Sequence, residues 1–297
     1  MTQLASSPNA AATDAVRCPI SGRPAHFYCR KPPADYYITE GLGLIFQKEI
    51  PTVAQMAAYA EEQYAAGAYK DYAAAAPLKI ATFHRRLQLL QDLGAKGRLL
   101  DVGCSVGFLI EAALERGFDA RGIEFSREAV ALAKPEIQKR ITIGDVNALR
   151  ERDPEPFDAV VAFDIIEHTQ DPVAFLTEIR QILRPGGWLM LATPDTGHWL
   201  RHVMRSRWPM LQPMQHTFLF SRPAMRLALE KAGFENIGVR AADKTLTLDY
   251  LLAQLRLHNP LLTAGYRLLS PLLPRALRQR NFAVNISEQL AYAQRQP

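Results

Sequence analysis

Between Arg98 and Ala192 the chain alternates short apolar runs with stretches in which apolar residues recur every three or four positions. The runs Arg98–Val102, Asp119–Glu124, Ile141–Ile143, Phe157–Phe163 and Trp188–Ala192 predict strands. Phe108–Arg116, Glu128–Ala133 and Pro172–Leu183 predict helices, and the turn Arg184-Pro-Gly-Gly187 leads into the last strand. Strands alternating with helices predict an α/β fold: a doubly wound, mostly parallel sheet covered on both faces and joined by right-handed crossovers.

The flanks have other rhythms. Residues 1–17 read as a lead-in, and Cys18 to about Gln47 as a compact module with turn residues and one apolar run, Gly43 to Phe46. Thr52 to Leu93 is Ala-rich, with Leu78, Ile80, Phe83, Leu87 and Leu90 at helical steps, and predicts two helices over the core. After the fifth strand, Trp199–Pro213 reads as an irregular insertion, Ser221–Ala232 as a helix stopped by Gly233, and Asn236–Ala241 as a strand. Leu251–Arg280 is Leu-rich with breaks at Pro260, Pro271 and Pro274, and Phe282 to about Tyr292 reads as one last strand. The organisation is therefore an N-terminal module over 1–50 and a larger domain over 51–297. That domain has its core at 95–195, a substrate-cover insertion at about 196–220 and helical additions at 248–280.

Composition narrows the class. With 48% hydrophobic and 22% charged residues, 297 residues can bury a core, which excludes a disordered tail, a collagen-like repeat and a coiled coil. The longest stretch free of Asp, Glu, Lys and Arg, Trp208–Ser221, is 14 residues with two prolines, short of the ~18 that a spanning helix needs. The first residues show no apolar secretory core, and three widely spaced cysteines suit a reducing compartment, so a cytoplasmic location is expected. The net charge of +5 is uneven: residues 1–200 carry 21 basic against 25 acidic side chains, residues 201–297 carry 14 against 5. A basic last third favours an anionic partner.

The chemistry concentrates where strands end. The first strand runs through Asp101-Val-Gly-Cys-Ser-Val-Gly107 straight into a helix, placing glycines where a ligand approaches free N–H groups. Gly103 and Gly107 are four apart, and Phe108 stands where a dinucleotide fingerprint wants its third glycine, so a nicotinamide enzyme is disfavoured. The second strand ends in Glu124, 23 residues after Asp101, where a carboxylate can accept ribose hydroxyls. The third is followed by Gly144-Asp145-Val146, and the fourth ends in Phe163-Asp164-Ile-Ile-Glu167-His168.

Taken as a set, from Leu99 to Asp195, these motifs resemble the class I S-adenosylmethionine-dependent methyltransferases. Gln215 to Val239 looks like the distal part of the branch that holds ubiquinone-biosynthesis O-methyltransferases and methyltransferases of glycan and secondary-metabolite pathways. The resemblance implies S-adenosylmethionine as cofactor. It assigns the methionine end to Asp101, Gly103 and Gly107, the ribose to Glu124 and the adenine amino group to Asp145, with Ser105, Val146, Phe163 and Asp164 lining the donor site. Ser105 stands where the family usually has glycine. Cys18, with His26 and Cys29, resembles a zinc ribbon that has lost most of its ligands: three of four knuckle positions hold no cysteine, and a structural zinc site needs about four ligands.

Methyl transfer from a sulfonium is an in-line displacement that demands no metal, only alignment, exclusion of water and, where required, a base. His168 and His216 are the candidate bases; each can equally fix its loop. Arg85 and Arg86 could reach the donor carboxylate, although an Arg pair on a helix is usually solvated, and Tyr69 and Tyr72 could lid the pocket or pack between helices. The segment His198–Trp208 suits a substrate of phosphate or sugar character, a peripheral membrane contact, or an amphipathic cover. A small-molecule or biosynthetic-intermediate acceptor is expected. A non-catalytic protein of the same fold and an RNA methyltransferase are the alternatives. Nucleic acid is disfavoured because Asp164-Ile-Ile-Glu167 is not the Asn/Asp-Pro-Pro-aromatic loop of base-amine methylation.

Overall fold

The computed structural model of the chain describes residues 16–65, 75–250 and 273–296. An N-terminal antiparallel meander consists of β1 (Ala25–Lys31), β2 (Ala34–Thr39) and β3 (Ile45–Gln47). Its fourth strand, β9 (Phe218–Leu219), comes from the far side of the chain, in the order β1-β2-β3-β9. Ile45 faces Leu219 and Phe46 faces Phe218, and all four are buried. The apolar run at Gly43–Phe46 is thus the seam between the N-terminal module and the insertion. Helices α1 (Val53–Ala65) and α2 (Ala76–Asp92) follow the meander, as the helical spacing predicts.

The main sheet has seven strands in the order β10-β13-β8-β7-β4-β5-β6. Its parallel part is β4 (Arg98–Val102), β5 (Asp119–Glu124), β6 (Ile141–Ile143), β7 (Phe157–Phe163) and β8 (Leu183–Pro194). β13 (Glu288–Arg295) runs antiparallel between β8 and β10 (Phe234–Ala241). The connections carry α3 (Phe108–Glu115), α4 (Arg127–Ala131), α5 (Pro135–Gln138), α6 (Val146–Arg152) and α7 (Pro172–Ile182). Helices α8 (Trp199–Met204) and α9 (Arg222–Lys231) follow β8. A small hairpin pairs β11 (Lys244–Leu246) with β12 (Phe282–Val284), which follows α10 (Arg275–Arg278).

Adjacent residues on the central strands point to opposite faces, and both faces are covered. Leu100, Val160 and Leu189 pack with Leu176 of α7 and Met225 of α9, whereas Leu99, Val161 and Met190 pack with Leu87 of α2 and Ile110 of α3. This is why the strands read as unbroken apolar runs instead of alternating ones.

Four details differ from the sequence reading. The final strand divides into β12 and β13, because Asn285 Nδ2 donates to the carbonyls of Ala242 and Glu288 (both 2.7 Å) and Ser287 takes φ +77°. Arg184–Gly187 extends the start of β8 instead of turning before it, with a register shift against β7. Helix α6 was not expected; Asp145 caps it by accepting from the Ala148 N–H (2.9 Å). Within Trp199–Pro213 lies the one and a half turns of α8. Tyr69, Tyr72 and most of the Leu-rich stretch, 251–272, lie outside the described residues.

Candidate functional site

Sheet order places β4 and β7 side by side, and the chain leaves them in opposite directions, toward β5 and β6 on one side and β8 on the other. Such a switch point opens a crevice at the carboxyl ends of the strands. Gly103, just past β4, has φ +73°, and a Cβ there would overlap Ile165 from the loop after β7. Glycine is therefore required for the two loops to meet. Ser105 is also left-handed (φ +50°), which explains why glycine is usual there; serine accepts the conformation at a cost of about 1 kcal/mol.

The acid at the end of β5 is held from both sides. Glu124 Oε2 accepts from the Ser105 N–H (2.8 Å) and Oε1 from the Ser126 N–H (3.0 Å), so the loops after β4 and β5 are bound through one carboxylate. Each oxygen keeps a lone pair for a ligand hydroxyl. The Gly144 N–H donates to the Glu124 carbonyl (3.0 Å), bringing the end of β6 alongside. There Asp145 is exposed and Val146 is buried beneath it. Asp101 is 5% exposed and has no hydrogen-bond partner among the described residues. Burial, and then the neighbouring Glu124, pushes its carboxyl well above the ordinary value. Two large apolar side chains border this ledge in water: Phe125, 75% exposed, and Ile143, 37% exposed.

A charged group lies at the end of β7. Asp164 (φ +57°) is anchored by its N–H to the Ala192 carbonyl (2.8 Å), and its carboxylate lies 3.8 Å from Lys244 Nζ. Lys244 also contacts Glu288 (3.2 Å), which bonds Arg86 at 2.8 Å; the Arg86 guanidinium stacks over Phe163 at 4.7 Å. Desolvation alone would raise the Asp164 carboxyl, but Lys244, Arg86 and Lys79 hold it below its ordinary value. Burial lowers the Lys79 ammonium to about 8 despite the attraction of Asp164. Lys244 moves the other way: Asp164 and Glu288 outweigh burial and raise it.

Beside this group the two predicted histidines meet, their rings 4.9 Å apart and nearly edge to face. His168 Nδ1 lies 3.0 Å from the Gln215 carbonyl and His216 Nδ1 2.7 Å from the Met210 carbonyl. A carbonyl only accepts, so each Nδ1 bears the proton and each neutral ring presents Nε2 as its lone-pair nitrogen. Burial keeps both rings neutral, lowering His168 and taking His216 to about 3. Glu167, 1% exposed, accepts from Thr193 Oγ1 (2.8 Å); burial, with Asp164 adding to it, raises its carboxyl to about 8.

Of the residues expected from the sequence, Asp101, Gly103, Ser105, Gly107, Glu124, Asp145 and Val146 are thus gathered along adjacent strand ends, and Phe163, Asp164, His168 and His216 along the neighbouring ones. The Arg pair divides: Arg85 is exposed, while Arg86 is buried and committed to Glu288 instead of being solvated. Cys18, His26 and Cys29 do not converge. Cys18 sits in the main core, Cys29 packs with Tyr36 and Trp208, and His26 is exposed 3.8 Å from Glu40. Lys79, Lys244, Glu288 and Phe125 escaped the sequence reading. Phe125 follows Glu124 directly and could have been found as an apolar residue in a predicted strand-to-helix turn.

The methyltransferase domain family model matches residues 72–239, more than half of the chain, and the chain belongs to that family, the class I S-adenosylmethionine-dependent methyltransferases. The ubiquinone biosynthesis O-methyltransferase of Paracidovorax citrulli is 33% identical over 104 residues, which cover 32% of this chain and 43% of that protein. Its namesake in Xylella fastidiosa is 30% identical over 132 residues, 43% of this chain and 52% of that one. The chain spans about half the length of the curated relatives it matches. Among solved structures, an S-adenosylmethionine-dependent methyltransferase from Archaeoglobus fulgidus is 15% identical with a TM-score of 0.49, covering 74% of this chain and 94% of its own. No helix among the described residues is long and apolar enough to cross a membrane.

Proposed function

We propose that this chain is an S-adenosylmethionine-dependent methyltransferase acting on a small, anionic biosynthetic intermediate. The observation that carries the reading is the Glu124 carboxylate, fixed by the N–H groups of Ser105 and Ser126 on a ledge shared with Asp101, which has no hydrogen-bond partner among the described residues. These groups suit the donor. Glu124 would accept the ribose hydroxyls, Asp145 would accept from the adenine amino group, and Phe125 and Ile143 would lose their exposure under the adenine ring. The ammonium of the methionine end would give Asp101 the opposite charge that it lacks. When bound, the donor supplies an activated methyl group; the chain's residues hold and desolvate it.

The acceptor would enter over Asp164, Lys244 and the His168–His216 pair. Arg86, Lys79 and Lys244 against Asp164 and Glu288 give that recess a cationic excess, which favours an anionic acceptor. Where the nucleophile carries a proton, a neutral imidazole of the pair would take it. A donor site this complete supports an enzyme over a non-catalytic relic. The exposed Trp199 and Val203 of α8, followed by Arg205 and Arg207, would make any peripheral membrane contact, and co-sedimentation with anionic vesicles tests it.

Calorimetric titration of the full chain with S-adenosylmethionine and S-adenosylhomocysteine tests the donor reading. Micromolar binding that falls at least tenfold in Glu124→Ala is expected. No binding by folded wild-type protein would overturn it.

A further inference from the structure

Between Asp195 and Glu230 the chain carries five arginines and no acidic residue. Arg201 lies in α8, and Arg205 and Arg207 in the short 3-10 turn that follows it. Where this segment meets the N-terminal sheet, a cavity of about 490 Å³ is lined by Tyr28 and Cys29 of β1 and by Arg201, His202, Arg205 and Ser206. We infer that this cavity is a second binding site, for the phosphate group of a soluble phosphorylated small molecule. It shares no lining residue with the donor ledge or with the recess at Asp164, Lys244 and the histidine pair.

Arg201 carries the inference. It is 9% exposed, and no carboxylate among the described residues pairs with it. The nearest acid along the chain, Asp195, is spent on Arg222 (3.0 Å) and on the Gly197 N–H (2.8 Å). A buried cation is costly without a counter-charge, and Arg201 meets only partial ones. Its Nε donates to the Thr196 carbonyl, its Nη2 to His202 Nε2 (2.9 Å), and the guanidinium lies 5.7 Å from the centre of the Tyr28 ring. Nη1, with two N–H groups, makes no hydrogen bond among the described residues. The buried Tyr28 hydroxyl also has none. A guanidinium with its fork unfilled is what a phosphate engages through two of its oxygens.

The rest of the lining suits the same ligand. Arg201 and Cys29 are buried and form the floor, whereas His202, Arg205 and Ser206 are exposed and form the mouth. Burial raises the Cys29 thiol and keeps it uncharged, so the lining holds no anion to compete. Trp208, 1% exposed, packs with Cys29 and Tyr36 and pins the turn that carries Arg205 and Ser206. Arg205 takes a left-handed φ of +48° as the chain leaves α8, a strain that surrounding structure must hold. The volume falls within the roughly 300–1,000 Å³ of small-molecule sites and exceeds what a bare phosphate fills, so the ligand bears an organic group as well. Trp199 and Val203, the exposed apolar pair of α8, do not line the cavity, which favours a soluble ligand over a lipid headgroup.

The test is calorimetric titration of the full chain with inorganic pyrophosphate and with glucose 1-phosphate. It is repeated on Arg205→Gln, a substitution at an exposed position, and on Arg201→Lys, which keeps the charge and removes the fork. One equivalent bound at sub-millimolar affinity is expected, at least tenfold weaker in both variants. Arg201→Lys is read only if its urea midpoint matches wild type. No binding of either probe tighter than millimolar, or equal affinity in wild type and Arg205→Gln, would overturn the inference. Vesicles of phosphatidylglycerol in phosphatidylcholine decide the source. Sedimentation with them that Arg205→Gln abolishes, with neither soluble probe bound, would assign the cavity to a lipid headgroup and overturn the soluble ligand. S-adenosylhomocysteine is titrated on the same samples. Its affinity should be unchanged in Arg205→Gln, its loss there would overturn a separate site, and its absence in wild type with a soluble probe bound sinks the donor reading alone.

Discussion

At the residue scale, the site depends on a few positions that allow little exchange. Gly103 combines a left-handed backbone with contact against Ile165. Gly103→Ala is expected to cost about 1–3 kcal/mol in urea unfolding and to abolish S-adenosylhomocysteine binding in the calorimeter. The three cysteines show the opposite case, residues that carry no chemistry. All are buried, and desolvation raises the Cys104 and Cys29 thiols. Ellman's reagent should release no colour from native protein within minutes and three equivalents in denaturant. A reactive thiol in the native state would show that one of these pockets opens.

At the element scale, capping residues settle where helices begin, and one of them also joins layers. Ser221 accepts from the Ala224 N–H (3.2 Å) to cap α9 and donates to the Leu42 carbonyl of the N-terminal module; next to it, Thr196 Oγ1 donates to the Gly43 carbonyl (2.7 Å). Asp171 caps α7 through Val173 and Ala174 (both 3.0 Å) and makes no such cross-link. Ser221→Ala is therefore expected to cost more than Asp171→Ala, which should fall at about 0.5–2 kcal/mol, both from urea denaturation. Equal costs would mean that the Leu42 bond contributes nothing. The helices and parallel strands were legible in the sequence because burial on both faces writes itself as unbroken apolar runs. β9 was not: two residues cannot show a period, and Phe218–Leu219 becomes a strand only because Ile45–Phe46 waits beside it.

At the scale of the whole molecule, charges from distant segments converge at one end of the sheet. Lys79 and Arg86 come from α2, Asp164 from the end of β7, Lys244 from β11 and Glu288 from β13. Lys79, with Asp164 and Glu288 attracting its charge and Lys244 and Arg86 repelling it, keeps a pKa near 8 in the folded state against an ordinary 10.5. Between those values the unfolded chain binds the proton and the folded chain does not, so stability rises with pH across that window and levels off below about 8. Urea midpoints from pH 7.5 to 10.5 should show this rise in wild type and a smaller one in Lys79→Met; identical slopes would contradict it. By itself the sequence determined the doubly wound sheet and the acids and glycines at its strand ends, because these are local: Asp101 and Glu124 lie in the last two residues of their own strands, and Gly103, Asp145 and Asp164 follow theirs by a residue or two. Only the tertiary structure decided that Glu167, His168 and His216 share one pocket, that Arg86 is spent on Glu288, and that Gln47 holds the His216 loop. Those contacts join residues far apart in the chain, and burial, not spacing, makes them strong.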